Sequence, residues 1–371
     1  MTMSAGKIDK SLVKTILFVS LSNLGDIILT TPVLQKLAGE FPFASIDVIC
    51  GTPGEDIFSK HPAVREIIVT KKHRSFASRM RDMGRLRKKH YDMVVDLKLT
   101  LMPFFLNTPF RAGGFLPVTR RSNEPLQTPR AESPGSRARV HTEAAFSDPV
   151  VNGGVSRRLM YKPAVWHKRE EHLSRIIALG IDIADPDFFV PVTIYDCRFV
   201  DEILKGSGDK NIVLLNPGSK SHLKRWDAAK YAELSDRLVE ELGCQVLVAG
   251  NKDDREVIDL VLSRVKAPVK NICGRTTIGE LLELMRRVSL VITNDSAPLH
   301  MASAVNAPTI AIFGPSDDRK YGPLAERNMV LKPKVACSPC EKALCHAGPE
   351  AGCISRVSVE EVFQATKEML G

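Results

Sequence analysis

The chain has 371 residues, 44% of them hydrophobic and 26% charged, and a formal net charge of +9. That length favours two domains over one, and the composition is close to the globular average. No apolar run approaches the ~18–20 residues that cross a bilayer, and the polar start MTMSAGKIDKSLVK leads into an apolar stretch broken at Ser22, Asn23 and Asp26, a poor signal peptide. A cytosolic protein is the expectation.

In chain order, 16–19 reads as a strand, followed by the polar turn SNLGD (Ser22 to Asp26) and an amphipathic helix over 31–41 with Pro32 in its first turn. Residues 46–50, 66–69 and 93–97 read as further strands. A helix over 75–90 lies between the last two. The stretch 71–90, KKHRSFASRMRDMGRLRKKH, holds nine Lys and Arg against one acid, Asp82, a net of +8. It is either a solvated helix face or a surface for an anionic partner: a phosphorylated glycan, an anionic membrane or nucleic acid. Nucleic acid is disfavoured, because the segment lacks aromatics for base stacking and no nucleic-acid-binding signature occurs elsewhere. Residues 107–165 are rich in Pro, Gly, Ser and Arg and read as a long lid, a binding loop or a partly disordered insertion. Helical spacing resumes over 168–179, closed by Gly180.

A passage over 191–209, with a short helix inside it, separates this half from a second βα series. Strands are expected at 212–215, 244–249, 269–272, 290–293 and 309–313. Helices are expected at 227–242, 253–264, 278–288 and 297–305, with a last amphipathic helix at 358–369. Alternation of this kind predicts two α/β domains, each a doubly wound parallel sheet covered on both faces. The domains are expected over 1–190 and 210–357, with residues 358–371 packing back toward the first. Ligands of such sheets sit where strands run into helices. The G-x-G-x-x-G fingerprint and the P-loop are both absent, which argues against a dehydrogenase or a simple ATPase.

Three strand-to-helix loops concentrate chemistry. In SNLGD, Gly25 permits positive φ or a close approach of ligand to backbone. Asp26 is either a helix cap or a general base facing the cleft. In NPGSKSHLKRWD (Asn216 to Asp227), Gly218 and Ser219 precede Lys220, Lys224 and Arg225, a pattern that suits phosphate. Trp226 reads as packing at the following helix. In TNDSAPLHMASA, Asp295, Ser296 and Ala297 form the junction and His300 follows on the same helix face. In AGNKDDREV, Asp253 and Asp254 either hold a ribose or cap a helix. A base on one domain opposite anion-binding loops on the other suits group transfer from a nucleoside diphosphate. No metal-binding Asp-x-Asp occurs at these loops, so basic residues and helix N-termini must neutralise the leaving group, and no cofactor is expected. Four cysteines cluster near the C-terminus, Cys337, Cys340, Cys345 and Cys353, with spacing open to a metal site or to free or disulfide-capable thiols. Cys50, Cys197, Cys244 and Cys273 read as reduced core thiols.

Taken together, SNLGDIILTTPVLQKL, NPGSKSHLKRW and TNDSAPLHMASAVNAPTIAIFGPSD, in this order and spacing, resemble the family 9 glycosyltransferases, the ADP-heptose:lipopolysaccharide heptosyltransferases. The resemblance covers most of the chain and is weakest across 107–165. It implies a GT-B fold and an inverting, metal-independent transfer of heptose from ADP-heptose to the lipid A–Kdo/heptose inner core. It implies an acceptor-binding first domain and a nucleotide-sugar-binding second domain, and work at the cytoplasmic face of an anionic inner membrane. Asp26 matches the family's base in S-x-x-G-D. Ser219 and Lys224 match its diphosphate contacts, and Asp295, Ser296, Ala297 and His300 match D-[ST]-G-x-x-H, with Ala297 in place of glycine. Substrate contacts are further expected from Ser22, Gly25, Thr31, Gly218, Arg225, Asp253 and Asp254, with Lys224 beside Asp26 as catalytic. The competing readings are another nucleotide-sugar transferase or epimerase on the same scaffold, and a non-catalytic binder of phosphorylated glycans.

Overall fold

The computed structural model describes residues 8–70, 76–100, 102–106, 108–113, 166–177, 179–342, 344–345 and 352–371. The bulk of the expected 107–165 insertion, and the start of the basic segment at 71–75, lie outside the described residues.

Two parallel sheets form the molecule. The first contains β1 (Thr15–Val19), β2 (Ser45–Cys50), β3 (Val64–Val69), β4 (Met93–Asp96) and β5 (Phe110–Gly113), in the order β3-β2-β1-β4-β5. The second contains β6 (Ile212–Asn216), β7 (Gln245–Val248), β8 (Lys270–Asn271), β9 (Leu290–Asn294), β10 (Thr309–Ile312) and β11 (Asn328–Leu331), in the order β11-β10-β9-β6-β7-β8. In register, Leu17 lies between Asp47 and Val94, and Leu214 between Leu247 and Val291. The central strands β1, β4, β6 and β9 are apolar along nearly their whole length because helices cover both faces. In each sheet the chain winds outward one way and then restarts beside its first strand. The switch points therefore lie between β1 and β4 and between β6 and β9, where ligands of open α/β sheets bind.

The helix α1 (Leu24–Glu40) begins seven residues before the expected start at 31. Pro32 had suggested a first turn, since proline cannot donate to the carbonyl four residues back. Here the Thr31 hydroxyl donates to that carbonyl, on Ile28, at 2.8 Å, so the helix runs through the proline with nothing left unpaired. The same hydroxyl accepts from the backbone N–H of Phe189 at 3.2 Å, and Thr31 is fully buried. Thr31 is thus a structural residue, not the substrate contact expected of it.

The remaining helices are α2 (Thr52–Phe58), α3 (Phe76–Lys88), α4 (Met102–Phe105), α5 (Lys168–Ile177), α6 (Ile194–Leu204), α7 (Ala228–Glu240), α8 (Arg255–Leu262), α9 (Ile278–Arg287), α10 (Ala297–Ala304), α11 (Asp318–Tyr321) and α12 (Val359–Leu370). Strand β5 falls inside the stretch expected to be irregular. The short elements α2, α4, α11 and β11 carry too few periodic residues to be read from sequence. Helix α6, in the passage between the halves, packs on α9, and an Arg287–Asp201 ion pair ties the two.

One apolar cluster runs from the inner face of the first sheet (Ile16, Phe18, Met93) to that of the second (Leu214, Val291), taking in Leu34, Leu173, Val200 and Leu282 from α1, α5, α6 and α9 on the way. The outer face of the second sheet has its own cluster, and α12 belongs to it. Val362, Phe363 and Met369 are buried there against α7 and strands β9 to β11. Each such side chain contributes about 1.5–3 kcal/mol. This corrects the expectation that the C-terminal helix returns toward the first domain: its apolar stripe fits the uncovered face of the second sheet. Trp226 is buried, edge-on to Tyr231, and donates to the Val357 carbonyl at 2.9 Å, so it packs as expected.

Candidate active site

The expected site loops lie at the two switch points. After β1, residues 20–24 lead into α1. After β6, residues 217–227 lead into α7, and after β9, Asp295 and Ser296 lead into α10. Contacts between α1 and α10 bring the two sides together.

Asp26 sits in the first turn of α1, half-buried, three residues past the N-cap Asn23. It does not cap the helix. Its carboxylate accepts from the Asn23 side-chain amide at 3.1 Å. Asn23 in turn accepts from Lys220, in the loop after β6, at 3.2 Å. Ser22 accepts from Lys98 at 2.9 Å.

Gly25 has a different reason from the one the sequence suggested. Its φ is not positive, and no space is kept for a ligand. A Cβ placed there would lie 2.8 Å from Cδ2 of His300 and 3.4 Å from Cα of Ala297. The glycine lets α1 close onto the start of α10. His300 accordingly is buried beneath α1 instead of lining an open cleft. Its burial, reinforced by His167 and Lys224 nearby and opposed by Asp295, pushes its pKa down to about 4, so the ring is neutral. Among the described residues its Nδ1 has no hydrogen-bond partner.

On the opposite wall, Lys224 pairs with Asp295 at 2.6 Å, and Asp295 is buried. Arg225 turns back on its own loop and donates to the Ser219 carbonyl at 2.7 Å. The loop is shaped from below by Asn294. Its amide donates to the Pro217 carbonyl at 2.7 Å and its oxygen accepts from the Trp226 N–H and the Tyr231 hydroxyl, at 3.2 and 3.1 Å. Gly218 lies against Asp254: a Cβ on it would come within 2.3 Å of that carboxyl group. Asp254 also accepts from the Asn251 N–H at 3.0 Å, so it caps the turn at 252–254 while abutting the loop. Asp253 is exposed and its backbone N–H bonds Asn251. Of the two acids, only Asp254 touches the loop. Ser296 is the N-cap of α10. Among the described residues its side chain makes no capping bond and its buried Oγ has no partner, and neither has either amide atom of the buried Asn216 side chain. Buried polar atoms are nearly always satisfied. The unpartnered ones from Asn216, Ser296 and His300 all belong to the second domain. Ala297 opens α10 with Pro298 behind it, a favoured helix start.

Sequence reading missed four contributors. Asp96 ends β4 fully buried and accepts from the N–H groups of Lys98 and Thr100 and from the Thr100 hydroxyl. Burial raises its pKa despite those bonds. It clamps a loop in which Leu99 has φ 57°, a strained value for a branched side chain, and which presents Lys98 at the first switch point. The signal was available: MVVDLK, like VITND, is an apolar strand ending in an aspartate. Asn216 and Tyr321 were also missed. The Tyr321 ring lies 5.7 Å from the Lys224 ammonium. Burial, with Glu341 and Asp26 nearby, raises its hydroxyl pKa. His167, just before α5, donates from Nε2 to the Gly322 carbonyl across the cleft, 3.1 Å away.

Among the described residues no three of His, Cys, Asp and Glu gather so as to hold a metal ion. Cys337, Cys340, Cys345 and Cys353 are free thiols, and Cys353 lies near enough to the other three for their charges, after burial, to raise its pKa.

Known proteins carry the same features. The family model for glycosyltransferase family 9 (heptosyltransferase) matches residues 184–350, the range that contains the loops after β6 and β9. Over this range the chain resembles glycosyltransferase family 9. Lipooligosaccharide heptosyltransferase 2 of Haemophilus influenzae is 23% identical over 344 residues, 85% of this chain and 88% of that protein. Lipooligosaccharide heptosyltransferase 2 of Campylobacter jejuni is 29% identical over 180 residues, 47% of this chain and 56% of that protein, so the higher identity spans about half of each. Among solved structures, the family 9 glycosyltransferase of Veillonella parvula superposes with a TM-score of 0.75 at 22% identity, covering 99% of both chains. The architecture is the GT-B fold expected from sequence.

Proposed function

We propose that this protein is an inverting lipopolysaccharide heptosyltransferase of family 9, taking heptose from ADP-heptose to a Kdo or heptose hydroxyl of the inner core. The observation that carries this reading is the pairing of the two switch points. Asp26 stands on one, the Lys224–Asp295 pair and the unpartnered Asn216 and Ser296 groups on the other, and α1 and α10 hold them together.

In this mechanism Asp26 takes the proton of the acceptor hydroxyl as its oxygen attacks the anomeric carbon. The bond from that carbon to the diphosphate breaks on the opposite face, which inverts the centre. Negative charge grows on the departing ADP. Lys224, the amides of Ser219 and the start of α10, and the hydroxyl of Ser296 are arranged to stabilise it. Arg225, Gly218 and Asp254 shape the loop that does so. Ser22 and Lys98 offer a hydroxyl and a cation to the acceptor side. Among described residues of the basic segment, Arg81, Arg85 and Lys88 share one exposed face of α3. That face suits an anionic membrane carrying the glycolipid acceptor.

The test is turnover. Purified protein is given ADP-heptose and a panel of truncated lipid A–Kdo acceptors, and product is identified by mass. Heptosylated product is expected from one of them. No product from any acceptor, with thermal stabilisation by UDP or GDP instead of ADP, would remove the donor assignment. The matching nucleotide at 100 times its Kd should stabilise the protein by about 2.7 kcal/mol.

A further inference from the structure

Asn23 occupies a capping position and does not cap. It is the N-cap of α1, with extended backbone at φ −95° and ψ 146°, yet its side chain bonds none of the amides of the first turn. Asparagine is among the best capping residues, and a cap normally contributes about 1 kcal/mol. Here the carboxamide points elsewhere. Its Nδ2 donates to Oδ2 of Asp26 at 3.1 Å, and its Oδ1 accepts from Nζ of Lys220 at 3.2 Å.

These two bonds determine one another. An ammonium can only donate, so it requires the oxygen end of the carboxamide, and that turns the NH2 end toward the carboxylate. The first bond engages one carboxylate oxygen and leaves the other for the acceptor hydroxyl. The second reaches across the cleft, because Lys220 belongs to the loop after β6 that also carries Ser219 and Lys224. The side chain therefore joins the carboxylate of one domain to the diphosphate-side loop of the other.

We infer that Asn23 is a positioning residue for Asp26, holding the carboxylate in its working orientation and tying that orientation to closure of the cleft. The inference rests on Asp26 being the base of the proposed transfer. Closure brings Lys220 to Asn23, Lys220 orients the carboxamide, and the carboxamide orients the base. The base is then aligned only when the donor-side loop is in place.

Capping and positioning make opposite predictions for two substitutions. Serine and aspartate cap as well as asparagine does. Serine is too short to bridge Lys220 and Asp26, and aspartate has no N–H to donate to a carboxylate. The experiment compares N23S, N23D, D26N and N23S/D26N in the full chain, with ADP-heptose and a Kdo–lipid A acceptor, reading kcat, donor KM and Tm. N23S and N23D are expected to keep the wild-type Tm and donor KM and to lose about 10- to 100-fold in kcat, the scale of a hydrogen bond to a charged group. N23S is expected to have no further effect in the D26N background. Near-wild-type kcat in N23S and N23D, with D26N inactive, overturns the inference and leaves the base assignment standing. A further loss in N23S/D26N beyond D26N also overturns it, since Asn23 would then act on another group. Normal turnover by D26N removes the base and the inference with it.

Discussion

The two walls of the cleft are built differently. The wall on the second sheet comes from two loops and a helix start, 216–227 and 294–300, each continuous in sequence and braced from beneath by Asn294. Its main cation is already paired, Lys224 to Asp295. The wall on the first sheet is assembled from distant pieces: residues 22–26, the Asp96-clamped loop that carries Lys98, and His167 before α5, contacting Gly322. A leaving group common to every turnover suits a preformed wall. An acceptor suits a wall whose pieces can be exchanged without disturbing the other side.

Replacing the main cation of the donor wall strains that contrast most. Lys224→Met removes the ammonium that the proposal assigns to the diphosphate and leaves the buried Asp295 unpaired. A loss of about 10²–10³ in kcat is expected, as for other preorganised transition-state donors. A fall in stability of about 1–3 kcal/mol should accompany it, read by denaturant midpoint. Unchanged turnover would mean that Lys224 serves only Asp295.

Acid should weaken the fold. His172 and His300 are buried, and burial lowers each to a pKa of about 4 from an ordinary 6.5. The unfolded chain binds these protons at higher pH than the folded one. Their contribution to stability is therefore complete above pH 6.5 and is lost as pH falls from 6.5 toward 4, on the order of 3 kcal/mol each. Tm measured across this window should fall, and His172→Gln should flatten the fall. A flat Tm in the wild type would contradict the burial of both rings.

Gly25→Ala tests the contact itself. The new methyl meets His300 at 2.8 Å, where the ring has little room to give. A cost of about 1–3 kcal/mol is expected from overpacking, read by denaturant midpoint, with lowered kcat. Thr31→Val should have the smallest effect. It strips the hydroxyl from the Ile28 carbonyl, about 1 kcal/mol, and leaves kinetics untouched. A raised KM would restore Thr31 to the site.

How much was legible follows the same division. The loops of the second wall are read directly from NPGSKSHLKRW and TNDSAP because their residues are neighbours in sequence. Both sheets were legible too, since parallel strands buried on both faces stand out as apolar runs. Beyond the short elements and the missed site residues, three things were not legible. The start of α1 was hidden because a hydroxyl at Thr31 compensates for Pro32 by bonding the Ile28 carbonyl, a side-chain solution that residue-by-residue helix rules do not count. The role of Gly25 was hidden because its neighbour, His300, lies 275 positions away. The docking of α12 was hidden because an amphipathic stripe does not say which sheet face awaits it.

The measurement closest to the central claim is a paired one on Asp26→Asn: ADP-heptose affinity by calorimetry and single-turnover transfer to the acceptor that the wild type uses. The asparagine keeps the shape and the Asn23 neighbour but cannot take a proton. The account predicts unchanged donor affinity and transfer slowed by about 10²–10⁴, the range of general-base catalysis. Transfer at the wild-type rate would contradict it.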